Sequence, residues 1–318
     1  MVGRMKSSFL PVGLIVAFFV AWLVPDVGTQ FKEWGLIPWI VVTIFLVNGY
    51  QTNLSELPRS RHFVVTLLFT ALIALLISPL IGLGVAGLLG LGAGFTLGLV
   101  VKATVPPTLS TCIVMTQLAG GYATWALIMT LALNIIGIFT IPFMLDLTLD
   151  GVGEINIDPL PLLQKLVLLV LIPFLAGLGL RRIANVDPKH IVLQYLPSTC
   201  VIMAVWMALS DSSEIFQSLS PTALFSIAAA ALLVHVILLA ICWLGSIALK
   251  LEWKAAIAVI LTGSQKTLPV AVSVLTALNL PMGEALLVCV LFHFLVLFGD
   301  ALLVPYLKRP LAQQATNE

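Results

Sequence analysis

Charge is what this chain has least of. Only 9% of its 318 residues are Asp, Glu, Lys or Arg, against roughly a quarter in a soluble domain. Hydrophobic residues make up 60%, and the mean hydropathy is +1.15, which excludes a soluble globular fold. No basic run and no aromatic-interleaved polar face occurs, so nucleic acid is not an expected partner. The four cysteines, Cys112, Cys200, Cys242 and Cys289, stand singly inside apolar runs. They lack the paired spacing of zinc or redox sites and read as small core or lipid-facing side chains. HExxH, GxSxG and the P-loop are all missing, which argues against an enzyme and against nucleotide-driven transport. No resident cofactor is implied.

What is there is apolar sequence in the lengths a bilayer dictates, about 20 residues per helix. Ten spans are expected: Phe9–Val24, Leu36–Tyr50, Phe63–Leu83, Gly94–Leu118, Ala123–Leu145, Pro161–Leu180, Ile191–Leu209, Thr222–Leu249, Ala255–Leu278 and Ala285–Leu307. The second is short, with Trp34 and Trp39 placed to anchor it at an interface. Arg4 and Lys6 ahead of the first run resemble a signal peptide, but no small-x-small cleavage site follows, so a retained span is expected. With this count, Arg4, Lys6, Arg59, Arg61, Arg181, Arg182, Lys189, Lys250, Lys254, Lys308 and Arg309 share one side, leaving Lys32 and Lys165 opposite. The positive-inside bias makes that side cytoplasmic. The expectation is a multi-pass protein of the cell inner (plasma) membrane with both termini cytoplasmic and the lipid bilayer as its surroundings.

The acidic connection from Asp146 to Pro159 divides the chain near its middle. Five spans on each side give the halves, 1–150 and 151–318, opposite orientation, as an inverted repeat requires. Pro106 and Pro269, Gly120 and Gly283, and Pro142 and Pro305 each lie 163 positions apart.

Two polar interruptions stand out. The first runs from Lys102 to Thr111, with Pro106 and Pro107 unable to donate amide hydrogens and Thr108, Ser110 and Thr111 able to cap a restarted half-helix. A proline kink with Ser/Thr back-bonding is the competing explanation. The second runs from Gly263 to Pro269, with Ser264, Gln265, Lys266 and Thr267 between the glycine and the proline. A charge at bilayer depth costs at least ~2.5–3.5 kcal/mol, so Lys266 is expected to act on a substrate anion, stand in for a cation or exchange protons. A lysine snorkelling to the interface is the alternative. Asp300 lies two helical turns beyond His293 and needs a partner, for which Lys266 and Lys102 are candidates. His235 reads as a packing histidine. Asn48, Gln51 and Asn134 fit either a cavity lining or an interhelical hydrogen bond.

The segments Val105–Thr111 with Gly120-Gly121, Ser264–Leu268 and His293–Pro305 resemble the bile acid:sodium symporter superfamily, specifically its bacterial YfeH-like branch. The sodium/bile acid cotransporter 7 proteins of vertebrates fall in that branch. The resemblance covers nearly the whole chain. It implies an all-α fold of ten transmembrane helices in two inverted five-helix repeats, with broken, crossed helices four and nine in a core domain beside a panel domain. It also implies sodium near Ser110, Thr111 and Gln265. The chain departs from that pattern in two places: Leu261 stands where the family has an acidic sodium ligand, and Lys266 where it has an asparagine. Two units of negative charge are thereby lost from a would-be sodium cage. The resulting expectation is a secondary active transporter of a small organic, anionic solute by alternating access, with Na+ or H+ as coupling ion and sodium coupling altered or absent. Its candidate contacts are Thr108, Ser110, Thr111, Ser264, Gln265, Lys266, Thr267, His293 and Asp300, with Pro106, Pro107, Gly263 and Pro269 breaking the helices. A non-transporting membrane regulator on the same scaffold is the alternative. A channel is disfavoured because polar groups cluster at two breaks instead of lining one path.

Overall fold

A proline two residues past Trp22-Leu23 sets the first turn of the architecture. The computed structural model describes residues 2–52, 60–109, 111–150, 152, 157–184, 186–188, 190–211, 219–278 and 283–316. Among these, every regular element is a helix. Helix α1 (Val2–Leu23) ends where Pro25 opens α2 (Pro25–Glu33), and the two are bent by 100°. Then follow α3 (Leu36–Gln51), α4 (Arg61–Leu88), α5 (Ala93–Thr104), α6 (Thr111–Leu118), α7 (Ala123–Leu149) and α8 (Pro159–Ile183). Helices α9 (Ile191–Ser210), α10 (Pro221–Ala248), α11 (Trp253–Ser264), α12 (Leu268–Leu278) and α13 (Gly283–Thr316) complete the order.

This is a polytopic membrane protein. Among the described residues, by length and apolarity, seven stretches can cross a bilayer: α4, α7, α8, α9, α10, Trp253–Leu278 and Gly283–Lys308, or eight if the bent α1–α2 pair counts as one. Of the ten expected spans, the first meets that ruler only together with α2, and two others fall short of it. Helix α3 has 16 residues, and at about 1.5 Å per residue it reaches ~24 Å of a ~30 Å hydrocarbon core. The expected span Gly94–Leu118 is divided into α5, of 12 residues, and α6, of 8.

The helices sort into two bundles. Helices α1, α2, α3, α8 and α9 pack mainly on one another, α4–α7 with α10, α11 and α13 form the second set, and α12 packs against both. Close approach holds the first set: a Cβ on Gly49 would fall 2.0 Å from the Phe174 carbonyl oxygen, and one on Gly177 the same distance from that of Leu46. In the second set Gly98 lets α5 lie against the backbone of Ala285 on α13.

Two pairs of helices share boundaries at a spacing of 160 positions. Arg61–Leu88 and Pro221–Ala248 each have 28 residues, and Ala93–Thr104 and Trp253–Ser264 each have 12. The turns before the 12-residue helices repeat the same hydrogen bonds: Leu91 N to Ala86 O with Gly90 N to Gly87 O, then Leu251 N to Ser246 O with Lys250 N to Ile247 O. Both are Schellman closures with a left-handed residue, Gly90 at φ +61° and Lys250 at φ +52°. The 163-position proline pair is out of step with this spacing because Pro106 lies inside its break whereas Pro269 lies past its own, in the first turn of α12.

Two stretches of π-helix lie ahead of mid-helix prolines, Leu72–Ile77 before Pro79 and Val167–Leu171 before Pro173. The first frees a carbonyl. Ser78 N bonds to Ile73 O, so Ala74 O has lost its α-helical donor. Its π-helical donor would be the nitrogen of Pro79, which carries no hydrogen.

Candidate functional site

The two breaks meet in the interior. Helix α5 ends at Thr104, and Val105 turns extended at φ −70°, ψ 152°; α11 ends at Ser264, and Gln265 does the same at φ −72°, ψ 151°. Pro106 and Pro107 lie in the first non-helical segment. Thr267 N donates to Pro106 O at 2.8 Å, so each break satisfies part of the other's backbone. Pro107 O accepts from Asn134 Nδ2 at 3.1 Å.

Gly263 and Pro269 sit differently from the helix-breaking role expected of them. Gly263 is still helical, and its lack of a side chain admits the Cys242 sulfur, which would lie 2.4 Å from a Cβ. Pro269 is the second residue of α12, where a missing amide costs nothing. The break itself is Gln265 to Thr267.

Gln265 is the hub. Its Oε1 accepts from Thr108 Oγ1 at 2.8 Å and Thr111 Oγ1 at 3.3 Å, and its Nε2 donates to Asp300 Oδ2 at 2.7 Å. The Thr108 and Thr111 hydroxyls also touch each other, so one can donate to the other in place of Gln265, and Thr108 caps α6 by accepting from Cys112 N at 3.2 Å. Asp300 is fully buried, and its Oδ1 lies 3.0 Å from His235 Nε2. His235, expected to be a lone packing histidine, is thus joined to the site.

The lysines go elsewhere. Among the described residues no ion pair joins Asp300 to Lys266 or Lys102, so the expected partnership is replaced by the Gln265 and His235 bonds. Lys102 Nζ donates to Lys266 O at 3.1 Å, and Lys266 Nζ donates to Ala74 O at 2.5 Å. Lys266 therefore reaches the carbonyl that Pro79 and the π-helical turn leave without a donor. Both side chains are buried, at 0% and 1% exposure. Ser264 turns its hydroxyl back onto Ile260 O at 2.7 Å. Ser110 lies outside the described residues.

A cavity of about 120 Å³ opens where the two bundles face each other. The first bundle contributes Asn48, Gln51, Gln194 and Ser198; the second contributes Thr108, Thr111, Asn134, Thr267 and His293. Neither lysine lines it. Among the described residues, buried His293 Nε2 has no hydrogen-bond partner. Sequence reasoning missed Gln194 and Ser198. They lie four apart on α9, which puts two polar groups on one face of an apolar helix. The volume admits a few waters and is below that of an ordinary ligand pocket.

Known proteins share this arrangement of sequence across nearly its full length. A rice protein (Oryza sativa subsp. indica) named "Probable sodium/metabolite cotransporter BASS4, chloroplastic" is 29% identical over 330 aligned positions, covering 97% of this chain and 77% of the relative. Its Arabidopsis thaliana counterpart of the same name is 27% identical, covering 94% and 72%. The sequence model of the SBF-like CPA transporter family matches residues 8–309. With both breaks, their hub and the inter-bundle cavity inside the matched region, the chain belongs to the SBF-like CPA transporter family, within the bile acid:sodium symporter superfamily.

Proposed function

We propose that this chain is a secondary active transporter of a small organic, anionic solute, working by alternating access. The observation that carries the reading is the cavity between the bundles, lined by polar side chains from both and by residues of both breaks. Moving one bundle against the other would enlarge it and open it to one side at a time. Negative charge is favoured by two helix N-termini at the cavity, α6 beside Thr108 and Thr111 and α12 beside Thr267 and Pro269. The Lys266 amino group, turned to Ala74, is not the solute contact. His293 Nε2 and Asn48 are better placed for that role.

The 160-position recurrence of helices and turns supports two five-helix repeats, 1–150 and 151–318, of opposite orientation. Ten crossings then require that α3 and the α5–α6 pair each count as one despite their length. The Lys/Arg bias supports cytoplasmic termini in an inner membrane.

Metabolite transport is the part of the relatives' name carried over here; the coupling ion is a separate matter. Thr108, Thr111 and Gln265 offer three oxygens of the kind Na+ takes, all neutral. The Asp300 carboxylate lies beyond the Gln265 amide with both oxygens engaged. Carbonyls released by helix distortion, which elsewhere hold ions, here receive lysine amino groups. Coupling is therefore read as sodium-independent or proton-linked. A thermal-shift screen of the purified protein against organic anions, with and without Na+ at two pH values, tests both parts. Stabilisation by an anion that is lost in Asn48→Leu supports the site. Saturable stabilisation by Na+ that persists in Lys266→Ala overturns the altered coupling.

A further inference from the structure

Among the buried groups, the His235 ring has a geometry that constrains its own protons. Nε2 faces the Asp300 carboxylate at 3.0 Å, and Nδ1 faces the Ser264 carbonyl oxygen at 3.4 Å. Both neighbours are acceptors. A neutral imidazole has one N–H and can satisfy only one of them. Both contacts are made when the pair holds one proton more than a carboxylate and a neutral imidazole together. Two arrangements do this: an imidazolium donating to a carboxylate, or a carboxylic acid donating to Nε2 while Nδ1–H donates to Ser264. Each leaves the pair with no net charge, as a residue pair at 2% and 0% exposure requires.

We propose that His235 and Asp300 form a single-proton binding site whose occupancy is read by the second helix break. When the proton leaves, the remaining ring hydrogen stays on Nε2, because a bare nitrogen lone pair would repel the carboxylate. Nδ1 then presents a lone pair to Ser264 O, and that bond is lost. The same event leaves a net negative charge on Asp300, whose other oxygen holds Gln265 Nε2 at 2.7 Å. The site therefore touches consecutive residues of the break, Ser264 through His235 and Gln265 through Asp300.

The other titratable groups around the pair are engaged elsewhere or lie farther along the helices. Cys112 on α6 contacts the Thr262 hydroxyl at 3.2 Å and is the one thiol within electrostatic reach of Asp300 among the described residues. Cys242 is on His235's own helix, beside Gly263, and His293 is two turns earlier on α13. Lys102 and Lys266 hold the carbonyls of Lys266 and Ala74. As the coupling proton of transport, the site rests on the functional reading above; as a proton site it does not.

The test needs no substrate. Nitrogen-15 NMR of histidine-labelled, full-length protein in lipid bilayers reports protonation of each ring nitrogen, and the chain has four histidines to resolve. His235→Gln assigns the signal. Expected is a proton on Nδ1 at low pH that is lost in one step on raising the pH, with Nε2 protonated throughout or sharing its proton with Asp300. In Asp300→Asn, which removes the carboxylate facing Nε2, the pattern of protonation on the two ring nitrogens should differ from wild type at the same pH. A ring that keeps Nε2–H and a bare Nδ1 from about pH 4 to about pH 10, well outside the ordinary imidazole range, overturns the proposal and leaves the transport reading standing. So does a protonation pattern unchanged by Asp300→Asn. Should Asp300→Asn fail to fold, the wild-type protonation pattern at Nδ1 alone decides the matter.

Discussion

The two breaks start from similar extended turns and end in different chemistry. The first, at Val105 to Leu109, has two prolines, and its side-chain bonds are made by hydroxyls and a borrowed asparagine. The second, at Gln265 to Thr267, concentrates an amide and an amine, and reaches Asp300, Ala74, Thr108 and Thr111 from two residues, Gln265 and Lys266. The first is stiffened by covalent geometry, since proline fixes φ and removes donors. The second is held by a network, which can be rearranged. A transporter built on the pair therefore has one rigid and one adjustable break.

Cutting the network should cost most. Lys266→Ala removes the amino group that donates to Ala74 O and leaves a void, for an expected loss of about 3–4 kcal/mol, read as a lower unfolding midpoint in detergent. Lys266→Met fills the void but not the bond and should recover about half of that loss. If Lys266→Met is as stable as wild type, the carbonyl at the π-turn does not need its donor. Gln265→Leu cuts the side-chain link between the breaks, leaving the Thr267–Pro106 backbone bond, and leaves Asp300 and two hydroxyls short of a partner, costing about 2–3 kcal/mol. At the first break, Thr108→Val loses a helix cap and one link to Gln265, at about 1–2 kcal/mol. Equal losses for Gln265→Leu and Thr108→Val, measured together by chemical denaturation, would erase the contrast drawn here. The smallest effect goes the other way. Lys250 is held at φ +52° where its counterpart is Gly90, so Lys250→Gly should stabilise by about 1 kcal/mol.

Legibility followed range in the sequence. Breaks were visible because Pro106, Pro107 and the run from Gly263 to Pro269 interrupt long apolar stretches. The depth of Lys266 was visible for the same reason. Its target was not, because Ala74 lies 192 positions away and matters only through the π-helical turn ahead of Pro79. Mid-span prolines were the available signal. His235 and Asp300, 65 positions apart, looked like a packing residue and a lysine partner, and only helix packing put them together. Prolines and glycines recur at 163 in the sequence, whereas two pairs of helices and the turns between them recur at 160.

The sequence by itself determined the solvent, the helical class, the places where helices stop and the burial of a few polar side chains, since each follows from local hydropathy and from proline and glycine geometry. Which buried group satisfies which was decided by tertiary structure alone. An amino group, an amide or an imidazole accepts any properly placed partner, and placement is fixed only when distant helices pack.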